Sequence, residues 1–267
     1  MTHDEEIQAM LFGCTCKPYE YIELSEIGFD YAEFPCRVIC EMSDNDFENF
    51  LSRLNKATLP ILGMNIYCPP EIVIAGPGFD IDASAKYAYK AAKRGKALGV
   101  KVVGIGSPFS RNLPDEFDRK LARTQLLEFL KVTSSEFRKV DIKITLEALA
   151  PCFCNFINTL DEAYDIVSRL DDVNIDLVAD FYNMEHSGEA DIDLGKYIDK
   201  ISHMHISEDD GVPTKRSYLE PKNYKIHADR INRLKQSQYN NTLTIEIDVP
   251  FDSERAQDNL KFLRSLG

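Results

Sequence analysis

Glu147, Asp180, His205 and Glu246 are side chains of the kinds that ligate metals, and each ends a short apolar run in the second half of a 267-residue chain. The runs are Ile142-Lys143-Ile144-Thr145-Leu146-Glu147, Ile175-Asp176-Leu177-Val178-Ala179-Asp180, Ile201-Ser202-His203-Met204-His205 and Leu243-Thr244-Ile245-Glu246. Brought together, three carboxylates and one imidazole form a mixed oxygen and nitrogen site. Such a site suits Mn²⁺ or Zn²⁺ best and is compatible with Mg²⁺ or Co²⁺. A single carboxylate at a strand end is more often a loop charge or a helix cap. Crowded into one place without a cation, these groups would desolvate and repel one another, which makes a metal the simpler account.

The elements that must position them alternate regularly along the chain. Strand-like runs fall near Ala9–Thr15, Phe29–Phe34, Pro60–Tyr67, Val100–Gly106, Asp141–Glu147, Asn174–Asp180, Lys200–Ile206 and Thr242–Asp248. Helical spacing lies between them. Phe47, Phe50, Leu51 and Leu54 share one face behind Ser43 as a cap, and Thr159 with Glu162 reads as a capping box opening Leu160–Leu170. Asp82–Leu98 is stopped by Gly99, and Ser253 opens a last helix with Ala256, Leu260 and Leu263 on one stripe. Eight strand-then-helix units predict α/β architecture: a (β/α)8 TIM barrel, one domain over 1–267, with the ligand candidates at its C-terminal mouth. The longest irregular stretches, Cys68–Asp80, Ser107–Leu113, Pro151–Asn158 and Glu208–Tyr224, all follow strands and so belong to that mouth.

Side chains two apart on a strand share a face, so His203 faces the interior one layer below His205. His205 is the expected ligand, and His203 a core residue or a hydrogen-bond partner behind it. Glu33 ends the second strand and is placed to bond a substrate or a metal-bound water. Arg111, Lys215 and Arg216 are loop cations able to clamp an anion or sugar hydroxyls, and Phe109 and Tyr67 are candidates for an apolar wall. Cys14 with Cys16, and Cys152 with Cys154, read as packing rather than zinc ligands. Neither a Gly-x-Gly-x-x-Gly turn nor a Gly-Lys-Ser/Thr loop supports a nucleotide cofactor.

Composition narrows the partners. Forty-four acidic against 31 basic residues leave a net charge of −13, which argues against nucleic acid. No apolar run approaches the roughly 20 residues that span a bilayer, so no membrane is expected. Met1-Thr2-His3-Asp4-Glu5-Glu6 has no basic start or apolar core of a signal peptide. An odd set of seven cysteines without a secretory context reads as reduced thiols in the cytoplasm. A homo-oligomer is left open.

Gly28-Phe29-Asp30-Tyr31-Ala32-Glu33-Phe34, Thr145-Leu146-Glu147, Asp180 with Met184, His203-Met204-His205-Ile206-Ser207-Glu208 and Thr244-Ile245-Glu246 resemble, in order, the xylose-isomerase-like TIM-barrel superfamily. Gly106-Ser107-Pro108-Phe109-Ser110-Arg111-Asn112-Leu113-Pro114 is similar to its loop after the fourth strand. Within the superfamily the chain looks most like the sugar phosphate isomerase/epimerase group. The resemblance implies that Glu147, Asp180, His205 and Glu246 hold a divalent metal. It also implies that Glu147 and Glu246 are the acid/base pair in proton transfer through an enediolate, and that the substrate is a small sugar or sugar phosphate. Dehydration of a keto-inositol or keto-sugar, and sugar binding without catalysis, are the alternatives. One position departs from the pattern. Where the family carries a substrate-contacting His, this chain has Asn183, which can bond a hydroxyl but cannot carry a proton or a charge. His186, three residues on, is a further candidate for the same region.

Overall fold

The computed structural model describes residues 10–266; Ala9 and the N-terminal residues read for a targeting signal lie outside them. Strands β1 (Leu11–Thr15), β2 (Tyr31–Pro35), β3 (Ile61–Asn65), β4 (Val102–Ile105), β5 (Lys143–Glu147), β6 (Ile175–Asp180) and β7 (Ile201–Ile206) form the first seven staves. Two short strands, β8 (Glu208–Asp209) and β9 (Arg216–Ser217), pair antiparallel above β7. Strand β10 (Thr242–Ile245) is the eighth stave and closes the barrel in the order β1-β10-β7-β6-β5-β4-β3-β2, every pair parallel. The chain is a closed (β/α)8 TIM barrel, as the alternation predicts.

Each expected strand is present but shorter than its apolar run. Val100–Gly106 contracts to Val102–Ile105, and Thr242–Asp248 stops at Ile245. The residues shed at the C-terminal ends, Gly106, Glu246 and Asp248, leave the ladder to line the mouth.

The connecting helices follow their local chemistry. Ser43 accepts from the Asp46 amide to start a helix over Asp44–Leu54, whose Phe47 and Phe50 are buried. Asp80 caps Ile81–Leu98, and Gly99 ends it at φ 85°, a left-handed turn that glycine adopts without strain. Thr159 caps Leu160–Leu170, while the Glu162 carboxylate reaches Asn158 rather than Thr159 itself. The last helix, Ser253–Ser265, opens at Ser253 as expected, with Asp252 as its cap. Leu126, Phe129, Leu130 and Phe137 from Arg119–Arg138 show the outer core, sealed between helices and barrel. Each such side chain contributes roughly 1.5–3 kcal/mol on burial. That packing holds the strand ends, and so the mouth, in place.

The barrel interior is filled in layers. In the layer below the mouth, the Tyr31 hydroxyl meets Thr244 Oγ1 at 2.7 Å. Gly13 is required beside it, because a Cβ there would lie 2.3 Å from the Tyr31 ring.

Candidate metal centre

Glu147 ends β5, Asp180 ends β6, His205 is the next-to-last residue of β7, and Glu246 follows β10 directly. Parallel strands turn all four side chains to the same mouth, where one ligand atom from each lies within 4.8 Å of the others. All four are buried.

Most of the remaining donor and acceptor capacity is already used, which aims what is left at one point. Asp180 Oδ1 accepts the Tyr182 amide at 2.9 Å, capping the helix Phe181–His186, so Oδ2 turns inward. Asn65, at the end of β3, donates to Glu246 Oε1 at 2.7 Å. Asn183 donates to Glu147 Oε1 and to Asp180 Oδ2, both at 2.9 Å, while its own Oδ1 accepts from the Ala150 amide at 3.0 Å. His205 Nε2 faces Glu33 Oε1 at 3.1 Å, and His203 Nε2 faces Glu33 Oε2 at 2.9 Å. An ionised carboxylate only accepts, so both Nε2 atoms carry the proton and a neutral His205 presents the lone pair of Nδ1 to the centre. That Nδ1 and Glu246 Oε2 are buried without a hydrogen-bond partner and stand 3.3 Å apart. Once Nδ1 gives up its proton, it and Glu246 Oε2, with Asp180 and Glu147 beside them, fit a divalent ion.

Arg216 covers this group from above. The β8–β9 hairpin carries it back over the mouth, and Asp248 locks it there: its amide donates to the Arg216 carbonyl at 3.0 Å, and its Oδ2 accepts the Arg216 amide at 3.3 Å. The guanidinium stacks near Tyr182 and Phe153. Its Nη1 lies 2.5 Å from Asp180 Oδ2, and its Nε 3.2 Å from Glu246 Oε2.

The electrostatics separate the two glutamates. Burial, then the charge of Glu246, pushes the Glu147 carboxyl up to about 8. Burial also raises Glu246, but the charges of Arg216 and His205 more than offset this and hold it at about 2. Burial lowers the His205 imidazole, whereas Glu246 and Glu33 more than reverse this and set it well above 6.5. The site therefore draws positive charge, a proton or a metal ion, to the point that Nδ1 faces.

A cavity of about 500 Å³ opens above the centre. Glu147, Glu246, Arg216, Asp248, Phe153, Phe109 and Arg37 are among its lining residues. The other residues expected at the substrate lie elsewhere. Asn183 is beneath the wall, bridging the Glu147 and Asp180 carboxylates. Glu33 is fully buried between the two histidines. Arg111 is fully buried and donates from Nη2 to the Glu147 carbonyl at 2.6 Å, bracing the end of β5. His186 stacks on Tyr182 with ring centroids 4.5 Å apart and opens on a separate cavity beside Asp209. Tyr67 packs against Tyr87, Phe129 and Phe137 instead of joining Phe109. Lys215 is exposed and pairs with Asp210.

Three residues of the site escaped the sequence reading. Asn65 stands at a strand end, like Glu147, and that position was its signal. Arg37 is the second residue after β2 and had the same kind of signal. Gly106 was read only as part of the fourth strand and of the loop motif after it; its role is to make room, since a Cβ there would lie 2.3 Å from Glu147 Oε2.

A family model described as a xylose isomerase-like TIM barrel matches residues 22–266, and the chain belongs to that family. Among solved structures, D-allulose 3-epimerase from Methylomonas sp. is similar at 18% identity and TM-score 0.78, covering 97% of this chain and 99% of its own. The 3-keto-D-glucoside 4-epimerase of E. coli is similar at 17% identity and TM-score 0.72, with 96% and 99% covered. IolI with a bound zinc atom is similar at 18% identity and TM-score 0.67, with 96% and 98% covered. No curated protein sequence matches the chain significantly. No described helix is long and apolar enough to cross a membrane.

Proposed function

We propose that this chain is a divalent-metal-dependent isomerase or epimerase acting on a sugar or sugar derivative. The observation that carries the reading is the convergence of Glu147, Asp180, His205 and Glu246 to within 4.8 Å beneath a cavity that Glu147 and Glu246 also line. The same two carboxylates are thus within reach of both the cation and the substrate. Glu147, Asp180, His205 and Glu246 would hold Mn²⁺ or Zn²⁺. When bound, the ion would polarise a substrate carbonyl and offset the charge of an enediolate.

The chain's own residues supply the proton movement. One glutamate removes the proton beside the carbonyl, and the other returns a proton to the same carbon from the other side or to its neighbour. The first outcome is epimerisation and the second aldose–ketose isomerisation. Asn65 and Asn183 each anchor one oxygen of their glutamate, leaving the other oxygen to work. Arg216, fixed by the hairpin, is placed to bind a substrate oxygen as well as the carboxylates. The solved neighbours that are sugar epimerases and the zinc atom bound to IolI support the reading. We place the protein in the cytoplasm, where its seven cysteines, all free, stay reduced.

The test is metal titration followed by exchange. One tight Mn²⁺ or Zn²⁺ site per chain, lost in Asp180→Ala, is expected. With the metal bound, ketoses should take up deuterium from D₂O, and Glu246→Gln should stop this. Uptake unaffected by Glu246→Gln would overturn the assigned mechanism.

A further inference from the structure

The cavity is electrically polarised, and this bears on which sugar derivative it takes. Its carboxylates lie on the side of β5, β6 and β10. Glu147 is bound by Asn183, and Glu246 by Asn65, with Arg216 over both. Asp248 accepts from the Arg216 amide. The opposite side is built by the segments after β2, β3 and β4, which contribute Arg37, Ile66, Cys68, Pro70 and Ser107–Ser110. In the closed barrel β2 stands diametrically across from β6, which bears Asp180.

Arg37 stands in that far wall and Arg111 behind it. Arg37 lines the cavity, and the only carboxylate within ion-pair distance among the described residues is Glu41, at 3.9 Å on the same short helix. Arg111 directly follows the lining residue Ser110. It is fully buried, its Nε and Nη1 have no hydrogen-bond partner, and no described carboxylate lies within ion-pair distance.

The backbone holds this wall under strain. The Arg37 amide donates to the Ile66 carbonyl at 3.0 Å. Ile66 itself sits at φ 45°, where a β-branched residue is an outlier. Ser107, on the same wall, has φ 48°. Such backbone persists where the surroundings over-determine it, commonly at ligand sites.

We propose that the wall formed by Arg37, with Arg111 behind it, is a subsite for an anionic terminal group. The preferred substrate is then a sugar phosphate or a sugar acid that spans the mouth, its reacting carbons at the glutamates and its charged end at Arg37. Arginine recognises phosphate and carboxylate alike, through paired charge-assisted hydrogen bonds. This inference rests on the isomerase or epimerase reading for the identity of the near end only.

Binding of non-reacting polyols to the Mn²⁺-loaded protein tests it, with sorbitol, sorbitol 6-phosphate and gluconate as probes in calorimetric titrations. At least one of the two anionic probes should bind about 10- to 100-fold more tightly than sorbitol, and which one does so distinguishes phosphate from carboxylate. Arg37→Gln should remove that preference while leaving Mn²⁺ affinity unchanged, and Arg37→Lys should retain part of it. Raised ionic strength should shrink the preference in the wild type. Equal binding of all three probes, absence of binding by any of them, or a preference that survives Arg37→Gln would overturn the proposal. Deuterium uptake by ketoses reports separately on the reaction. Its absence beside an Arg37-dependent preference would sink the catalytic reading and leave the subsite standing.

Discussion

Glu33 Oε1 meets His205 Nε2 at 3.1 Å, and through this contact Glu33 decides which nitrogen of His205 faces the candidate metal centre. The other oxygen of Glu33 holds His203, whose Nδ1 in turn meets Thr242 Oγ1 at 2.6 Å. A carboxylate behind a metal-binding imidazole fixes ring orientation and raises its basicity. Glu33→Gln should therefore weaken Mn²⁺ binding by about 10- to 100-fold, measured by titration of the metal-free protein. Glu33→Ala leaves two buried imidazoles facing an empty space and should also cost about 3–5 kcal/mol of stability. Burial raises the Glu33 carboxyl, but His203 and His205 more than offset this and hold it below its usual 4.5. A depressed carboxyl contributes stability that is present above 4.5 and lost as pH falls below it. In Glu33→Gln that part of the acid lability should disappear from urea midpoints measured across the acid range.

Asn183 makes the same kind of argument on the other side of the centre. Its amide nitrogen joins Glu147 to Asp180, and its oxygen takes the Ala150 amide. Asn183→Leu removes the donor to both the Glu147 and Asp180 carboxylates and leaves a buried backbone N–H unpaired, at a cost of about 1–3 kcal/mol. Mn²⁺ affinity should fall about 10- to 100-fold while the folded signal in circular dichroism persists. Affinity equal to the wild type would show that the bridge does nothing for the metal.

Much of this was readable in the sequence because strand ends follow simple rules. Apolar runs that stop at Glu147, Asp180 and His205 place those side chains at the mouth, and period two puts His203 one layer below. The destinations of long side chains were not readable. Arg111 has a loop position and a charge, both of which suggest an open site, yet it turns under the wall to brace the Glu147 carbonyl. His186 lies two helical turns beyond Asp180, and Asn183 at the first turn takes the inward place. Arg216 reaches the centre because a two-stranded hairpin folds back over it, a tertiary arrangement with no short-range sequence signal.

Gly106 offers a prediction in which stability and function separate. Its backbone is outside the left-handed region, so alanine is conformationally acceptable, but the new Cβ would lie 2.3 Å from Glu147 Oε2. The carboxylate must move, and a displacement on the order of 1 Å at a reacting group costs about 100-fold in rate. Gly106→Ala should therefore lower the rate of deuterium uptake by about that factor while shifting the melting temperature little. A variant that loses stability and keeps its rate would reverse the assignment.

The last prediction concerns pH and metal together. Burial and Glu246 hold the Glu147 carboxyl at about 8, and the His205 imidazole lies well above 6.5. A metal ion must displace the protons these groups carry, because it binds a carboxylate and a neutral imidazole. Below about pH 8, Mn²⁺ affinity should rise by at least about tenfold per pH unit. Glu147→Gln should flatten this slope by about one proton, counted by titrating in buffers of different ionisation enthalpy. The stability of the metal-free protein runs the other way. A carboxyl raised from 4.5 to about 8 loses its contribution as pH rises through that window, and a raised histidine contributes below 6.5 and loses it as pH climbs. The gap in melting temperature between metal-loaded and metal-free protein should therefore widen from about pH 6 to about pH 8. A constant gap over that range would mean that the metal displaces no proton, and the four residues would not be its ligands.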